Sequence, residues 1–148
     1  MVSLTGLSLI LSLAVAQSVP PGTYASGAAL DQALKDQPVS PMVVARVDNT
    51  DLTRVNLIHR TVPRNAIVHA TGWEVHHIVS GSGTVVTGGT VVRSVDGSGA
   101  NVAKIVDGES RTVSAGDVIV IPAGTPHWYS EIDASVTYLE VRYDPGAD

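Results

Sequence analysis

The chain has 148 residues, room for one domain with a real core, and nothing in it marks a second. It has no cysteine, which excludes thiol catalysis, thiolate metal sites and disulfides. With a net charge of −5 and no Lys/Arg cluster, nucleic acid and anionic membrane surfaces are excluded as partners.

In chain order, Met1 to Ala16 carries no charged side chain, runs apolar from Leu7 and ends in the small-x-small triplet Ala14-Val15-Ala16. A bilayer-spanning helix needs roughly 20 apolar residues, so this stretch reads as a secretory signal cleaved before Gln17, with an uncleaved anchor or hydrophobic tail as the alternative. The mature protein is then expected to be secreted or extracytoplasmic and to have no membrane segment. Gln17 to Pro41 is rich in Pro, Gly, Ser and Ala and reads as an N-terminal arm, with one helix expected over Ala28 to Leu34, where Leu30 and Leu34 share a face.

From Met42 to Asp148 valine dominates, Phe is absent and short apolar runs recur between Gly, Asp and Ser. The expected strands include Met42–Val47, Arg54–Val62, Ala66–His69, Glu74–Ser80, Thr84–Thr87, Thr90–Arg93, Val102–Val106, Arg111–Val113, Val118–Ile121, His127–Ser130 and Val136–Tyr143. β-Branched residues in short runs between turn formers indicate an all-β sandwich or barrel. Gly81-Ser82-Gly83 and Gly88-Gly89 are the strongest hairpin turns, and Val95–Ala100 is expected to be a flexible loop. A Gly-rich phosphate loop and a Gly-x-Ser-x-Gly nucleophile elbow are both missing from their required contexts.

Two segments carry the chemistry. In the first, four residues separate His69 from Glu74 and six separate Glu74 from Gly81; in the second, Gly116, Pro122, Gly124 and His127 frame a β-run. Both resemble the motifs of the cupin superfamily. The first motif departs from the family pattern where Ile67 replaces a histidine and Thr61 a glycine, and the second where Glu131 replaces an asparagine. The resemblance covers roughly Val55 to Val141 and implies a double-stranded β-helix, or jelly-roll barrel, as does the strand pattern.

Carried over residue by residue, the resemblance makes His69, Glu74 and His127 the metal ligands. Two imidazoles and one carboxylate suit a mononuclear divalent ion, Fe, Mn, Ni or Zn, with open positions for substrate or water. Ile67 then puts an apolar side chain where a further imidazole would coordinate. If Glu74 faces inward, strand alternation turns His76 and Ile78 inward and Trp73, Val75 and His77 outward. The same rule puts Tyr129 on the face of His127 and Trp128 on the other. His76 is thus a fourth ligand or a general base, and Tyr129 an orienting hydroxyl or proton donor. His59 and His77 belong to the outer face, and Glu131 is a surface carboxylate or a support for His127.

The leading expectation is an exported enzyme of oxygenase, isomerase or lyase type, acting on a small, partly apolar molecule inside a barrel lined by Val, Ile and Leu. The alternative is a metal-free pocket that binds a small molecule or works as an acid–base isomerase or cyclase. A structural storage role ranks last, since the chain lacks a second barrel. Apolar outer residues Trp73, Val75 and Val79 imply a homodimer joined sheet to sheet.

Overall fold

The structure is a computed structural model that describes residues 21–146. The signal expected over Met1–Ala16 and the first residues of the arm lie outside that range. Helix α1 (Gly27–Lys35) starts at Ser26, whose side chain accepts a hydrogen bond from the Ala29 amide at 3.2 Å, and packs against the first strand. Eight strands follow: β1 (Met42–Asn49), β2 (Thr53–Arg60), β3 (Trp73–Thr87), β4 (Thr90–Val95), β5 (Asn101–Val106), β6 (Glu109–Ser114), β7 (Val118–Ile121) and β8 (His127–Tyr143).

Every strand pairing is antiparallel, and β3 and β8 form the spine. The first half of β3 and the second half of β8 lie in one layer, ordered β1-β2-β8-β3-β7, with Leu57 opposite Leu139, Ile78 opposite Tyr138 and His76 opposite Ile119. Their other halves pair with each other in a second layer, where β3 also pairs with β6, so that Val85 lies opposite both Arg111 and Tyr129. That layer continues through the Ile67–His127 bridge and the hydrogen bond from the Ala66 amide to the Ala103 carbonyl (2.8 Å) to β5 and β4. The chain has the expected all-β, jelly-roll architecture.

Gly81-Ser82-Gly83 is not a hairpin turn. Strand β3 runs straight through it, and the glycines allow close approach to β8 where both strands bend. A Cβ on Gly81 (φ +77°) would sit 2.0 Å from the Ser135 carbonyl oxygen, and one on Gly83 2.4 Å from that of Glu131. Across the bend, Ala134 itself has φ 75°. Gly88-Gly89 does not close a hairpin either. The pairs Thr87↔Glu109 and Thr90↔Val106 continue one register, so β3–β4 and β5–β6 form one long hairpin that bends at these glycines. Its tip is ordered by Asp96, whose carboxylate accepts from the Ser98 and Ala100 amides, rather than being an unorganised loop. Ala66–His69, expected as a strand, makes only the single bridge at Ile67.

The core fills one end of the barrel with Ile58, Ile78, Val85, Val113, Tyr129, Val136 and Tyr138, and Ile78, Val136 and Tyr138 have no exposure at all. Each such burial is worth roughly 1.5–3 kcal/mol. A smaller cluster, Ala66, Val86, Ala103 and Ile105, seals the second layer. The expectation of an aliphatic interior fails at the other end, where Arg60, Glu74, His76, His127 and Glu140 line the cavity. Glu74 and Glu140 each stand between apolar neighbours, Trp73 and Val75 or Leu139 and Val141, which hides them from a count of hydrophobic runs.

Candidate metal centre

Alternation along β3 buries Glu74, His76 and Ile78 and leaves Trp73 and His77 exposed, as expected. Strand β8 brings His127 and Tyr129 to the same interior, while His69 comes from the segment before β3 and is the most exposed of the set. The Glu74 carboxylate is the hub. Its Oε1 lies 3.0 Å from His69 Nε2, and its Oε2 3.2 Å from His76 Nε2 and 3.4 Å from His127 Nε2. The ligand atoms of His69, Glu74 and His127 lie within 4.8 Å of one another, and Glu74, His76 and Glu140 form a second such group. His76 is not part of the first group, although it shares Glu74 Oε2 with His127.

The partners of each ring fix what its nitrogens can do. His127 Nδ1 lies 3.0 Å from the Thr125 carbonyl, which only accepts, so Nδ1 carries a proton and Nε2 is the nitrogen turned to Glu74, a lone pair when that nitrogen is unprotonated and a donor when it is protonated. That Nε2 and Glu74 Oε1 are buried without a hydrogen bond, since the 3.0 Å approach of His69 is poorly aligned. With Nε2 unprotonated, two lone-pair atoms face each other and call for a proton or a cation between them. At His69 the guanidinium of Arg142 donates to Nδ1 over 3.2 Å, which leaves the neutral ring's proton on Nε2. Arg142 also lies 3.8 Å from Glu74 Oε1 and pairs with Asp144 at 3.1 Å. His76 is held between Glu74 and the Tyr129 hydroxyl, 3.2 Å from its Nδ1, and lies against Tyr138 at a ring-centroid distance of 4.6 Å.

Burial pushes the Glu74 carboxyl up, but His127 and His76 beside it outweigh that and hold it well below the ordinary range. Burial lowers His69; Glu74 opposes this shift and Arg142 reinforces it. Burial drives both phenols the other way, Tyr138 to about 12 against the pull of Arg60, and Tyr129 higher still. Tyr129 therefore works as a neutral hydroxyl.

The residues fit a divalent ion: an orphaned imidazole nitrogen, a buried ionised carboxylate and a second imidazole converge beside a cavity of about 20 Å³, space for about one water or ion. A much larger concavity, about 1030 Å³, runs along β1 and contains none of the histidines. Ile67 lies at the mouth of the small cavity, 41% exposed, its backbone paired with His127. Trp128 also borders the cavity, although alternation sends it to the other face. Glu131 accepts from Thr84 on the surface and does not support His127; the Thr125 carbonyl does. His59 bonds Thr137 on the outer face. Sequence reasoning missed Arg60, Arg142 and Glu140; their inward parity on β2 and β8 was the available signal.

No family model matches the chain, and no curated protein matches it in sequence. Solved structures do match. A candidate mannose-6-phosphate isomerase from Ralstonia eutropha JMP134 is 18% identical, with a TM-score of 0.52 over 74% of this chain and 92% of its own. A cupin superfamily protein from Desulfitobacterium hafniense DCB-2 is 13% identical, with a TM-score of 0.51 over 74% and 83%. An uncharacterised protein with a double-stranded β-helix domain from Klebsiella pneumoniae is 15% identical, with a TM-score of 0.55 over 80% and 90%. With two layers built on a shared pair of bent strands and a His/Glu cluster between them, the chain has the cupin fold.

Proposed function

We propose that this protein is an exported, metal-dependent enzyme that carries out proton-transfer chemistry, of isomerase or lyase type, on a small organic molecule. The observation that carries the reading is the convergence of His127 Nε2, turned inward by the Thr125 contact and buried without a hydrogen-bond partner, with His69 on the buried Glu74 carboxylate. His69, Glu74 and His127 would hold Fe, Mn, Ni or Zn, and the ion supplies Lewis acidity toward a substrate oxygen. Glu74 keeps its negative charge at the centre of the cluster, and Thr125 keeps the His127 proton on Nδ1. His76, between a carboxylate and a hydroxyl, is placed to pass a proton, and Tyr129 orients its ring. The acid–base pair beside the ligand set favours proton transfer over oxygenation. The isomerase name carried by the Ralstonia neighbour agrees with this choice but adds only likeness of fold.

One observation favours a second reading, a metal-free acid–base pocket: Arg142 already supplies positive charge beside Glu74 and His69. Elemental analysis of untagged protein beginning at Gln17, with His127→Ala as control, decides between them. About one equivalent of a transition metal that the variant loses supports the enzyme reading. No uptake after reconstitution with Fe, Mn, Ni and Zn leaves the metal-free pocket.

A further inference from the structure

The small cavity beside Glu74 cannot hold a substrate by itself, but a groove of about 320 Å³ adjoins it, with Asn65 and Trp128 lining both. That volume is at the lower end of what ligand pockets offer. The groove walls are fixed: Asn65 donates to the Asn101 carbonyl (3.1 Å) and accepts from the Ala103 amide (3.0 Å), while the Trp128 indole donates to the Arg64 carbonyl. Arg64 and Lys104 flank the groove, and no Asp or Glu lines it, although acidic residues outnumber basic ones 14 to 9 in the chain. Further in, Arg60 donates to the Tyr138 hydroxyl at 2.9 Å and lies over the Tyr129 and Tyr138 rings, 5.4 and 5.7 Å from their centroids. Among the described residues, none of these three cations has a carboxylate within 4.0 Å. Arg60 shares its cavity with the Glu74 and Glu140 carboxylates without pairing directly with either, whereas Arg64 and Lys104 stand exposed at a groove that no carboxylate lines.

We propose that groove and cavity together bind a small organic carboxylate. Arg64 and Lys104 take the carboxylate, Trp128 and Val102 carry the body, and Arg60 meets the end that reaches Glu74 and His127. This names the substrate class for the function proposed above and rests on that reading only for the chemistry, because docking itself needs no metal.

The test is an NMR titration of ¹⁵N-labelled, metal-free protein with benzoate and with benzamide, its neutral counterpart. The chain has two tryptophans, and Trp73, on the outer face, is the internal control. Benzoate should move the Trp128 indole signal and not that of Trp73, and benzamide should bind about tenfold or more weakly, as for loss of a charge-assisted contact. The exposed pair Arg64→Ala/Lys104→Ala should cost benzoate about tenfold, and Arg60→Met somewhat less. Equal binding of acid and amide, an unaffected double variant, or no Trp128 response up to the solubility limit would overturn the proposal. Because metal content is measured separately, failure here leaves the metal reading standing, and failure of metal uptake leaves this one standing.

Discussion

Replacing Arg142 by leucine should tighten metal binding, even though it deletes part of the site. The guanidinium donates to His69 Nδ1 over 3.2 Å, so the neutral imidazole keeps its proton on Nε2, the nitrogen that faces Glu74. Coordination through that nitrogen requires the Arg142 bond to be given up first, and it places a second cation near a guanidinium already 3.8 Å from the carboxylate. A hydrogen bond to a charged group contributes about 1.5–3 kcal/mol, and the 32% exposure of the His69 side chain argues for the lower end of that range. Removing the competitor should therefore lower the Kd for Zn(II) by about 10- to 30-fold. Calorimetric titration of metal-free wild type, Arg142→Leu and Arg142→Lys measures this, with circular dichroism to establish folding. The lysine variant keeps a cationic donor and should stay near wild type. A folded Arg142→Leu that binds zinc no more tightly than wild type would refute the reasoning, as would ¹⁵N shifts placing the His69 proton on Nδ1 in the metal-free wild type.

Three more outcomes can be checked on the same preparation. Gly81→Ala should cost ~2–4 kcal/mol in chemical denaturation, from a left-handed backbone at φ +77° plus the 2.0 Å approach to the Ser135 carbonyl; a loss below ~1 kcal/mol would show that the crossing of β3 and β8 yields easily. Because the fold depresses the Glu74 carboxyl below its ordinary 4.5, the stability it contributes is present above that value and is lost as the pH falls toward the folded-state pKa, so Glu74→Gln should flatten the acid limb of stability against pH. An acid limb of unchanged slope in the variant would move the effect elsewhere. On the outer face of the first layer, Trp73, Val79, Val118 and Val120 are 42%, 49%, 59% and 64% exposed and form an apolar surface, from which we predict a homodimer that Val120→Glu dissociates. Sedimentation velocity showing only monomer for the wild type would end that prediction.

The fold was legible because two physical signals agreed. Valine-rich runs with period-two alternation gave the strands, and Gly81, Gly116 and Gly124 stand where the backbone adopts positive φ. What stayed hidden was continuity: a glycine that ends a strand and one that lets a strand pass close to its neighbour look alike until the partner strand is in view. The candidate site was legible in its motif histidines and Glu74, and alternation placed His76 and Tyr129 correctly. Arg60, Glu140 and Arg142 escaped because no motif contains them, and their importance comes from pairing across the sheet, as in Glu74↔Arg142 and His76↔Glu140. At Ile67 the ligand pattern and the strand arrangement part company. Its substitution reads as a damaged ligand set, yet its backbone bridge to His127 remains in place.

The continuous register of the long hairpin, from Ser82↔Ser114 to Val95↔Asn101, has a consequence for how such a protein can change. Glu74, His76, His127 and Tyr129 lie on the two spine strands, whereas Val102, Ala103 and Lys104 enter the groove from the hairpin beyond its bend. On the function and the groove proposed above, reactivity and selectivity would sit on separable stretches of chain. Residues can be exchanged or added toward the Asp96–Ala100 tip, redrawing what the groove admits, while the reacting groups keep their spacing. A graft of this excursion alone would be a way to hand one catalyst a different clientele.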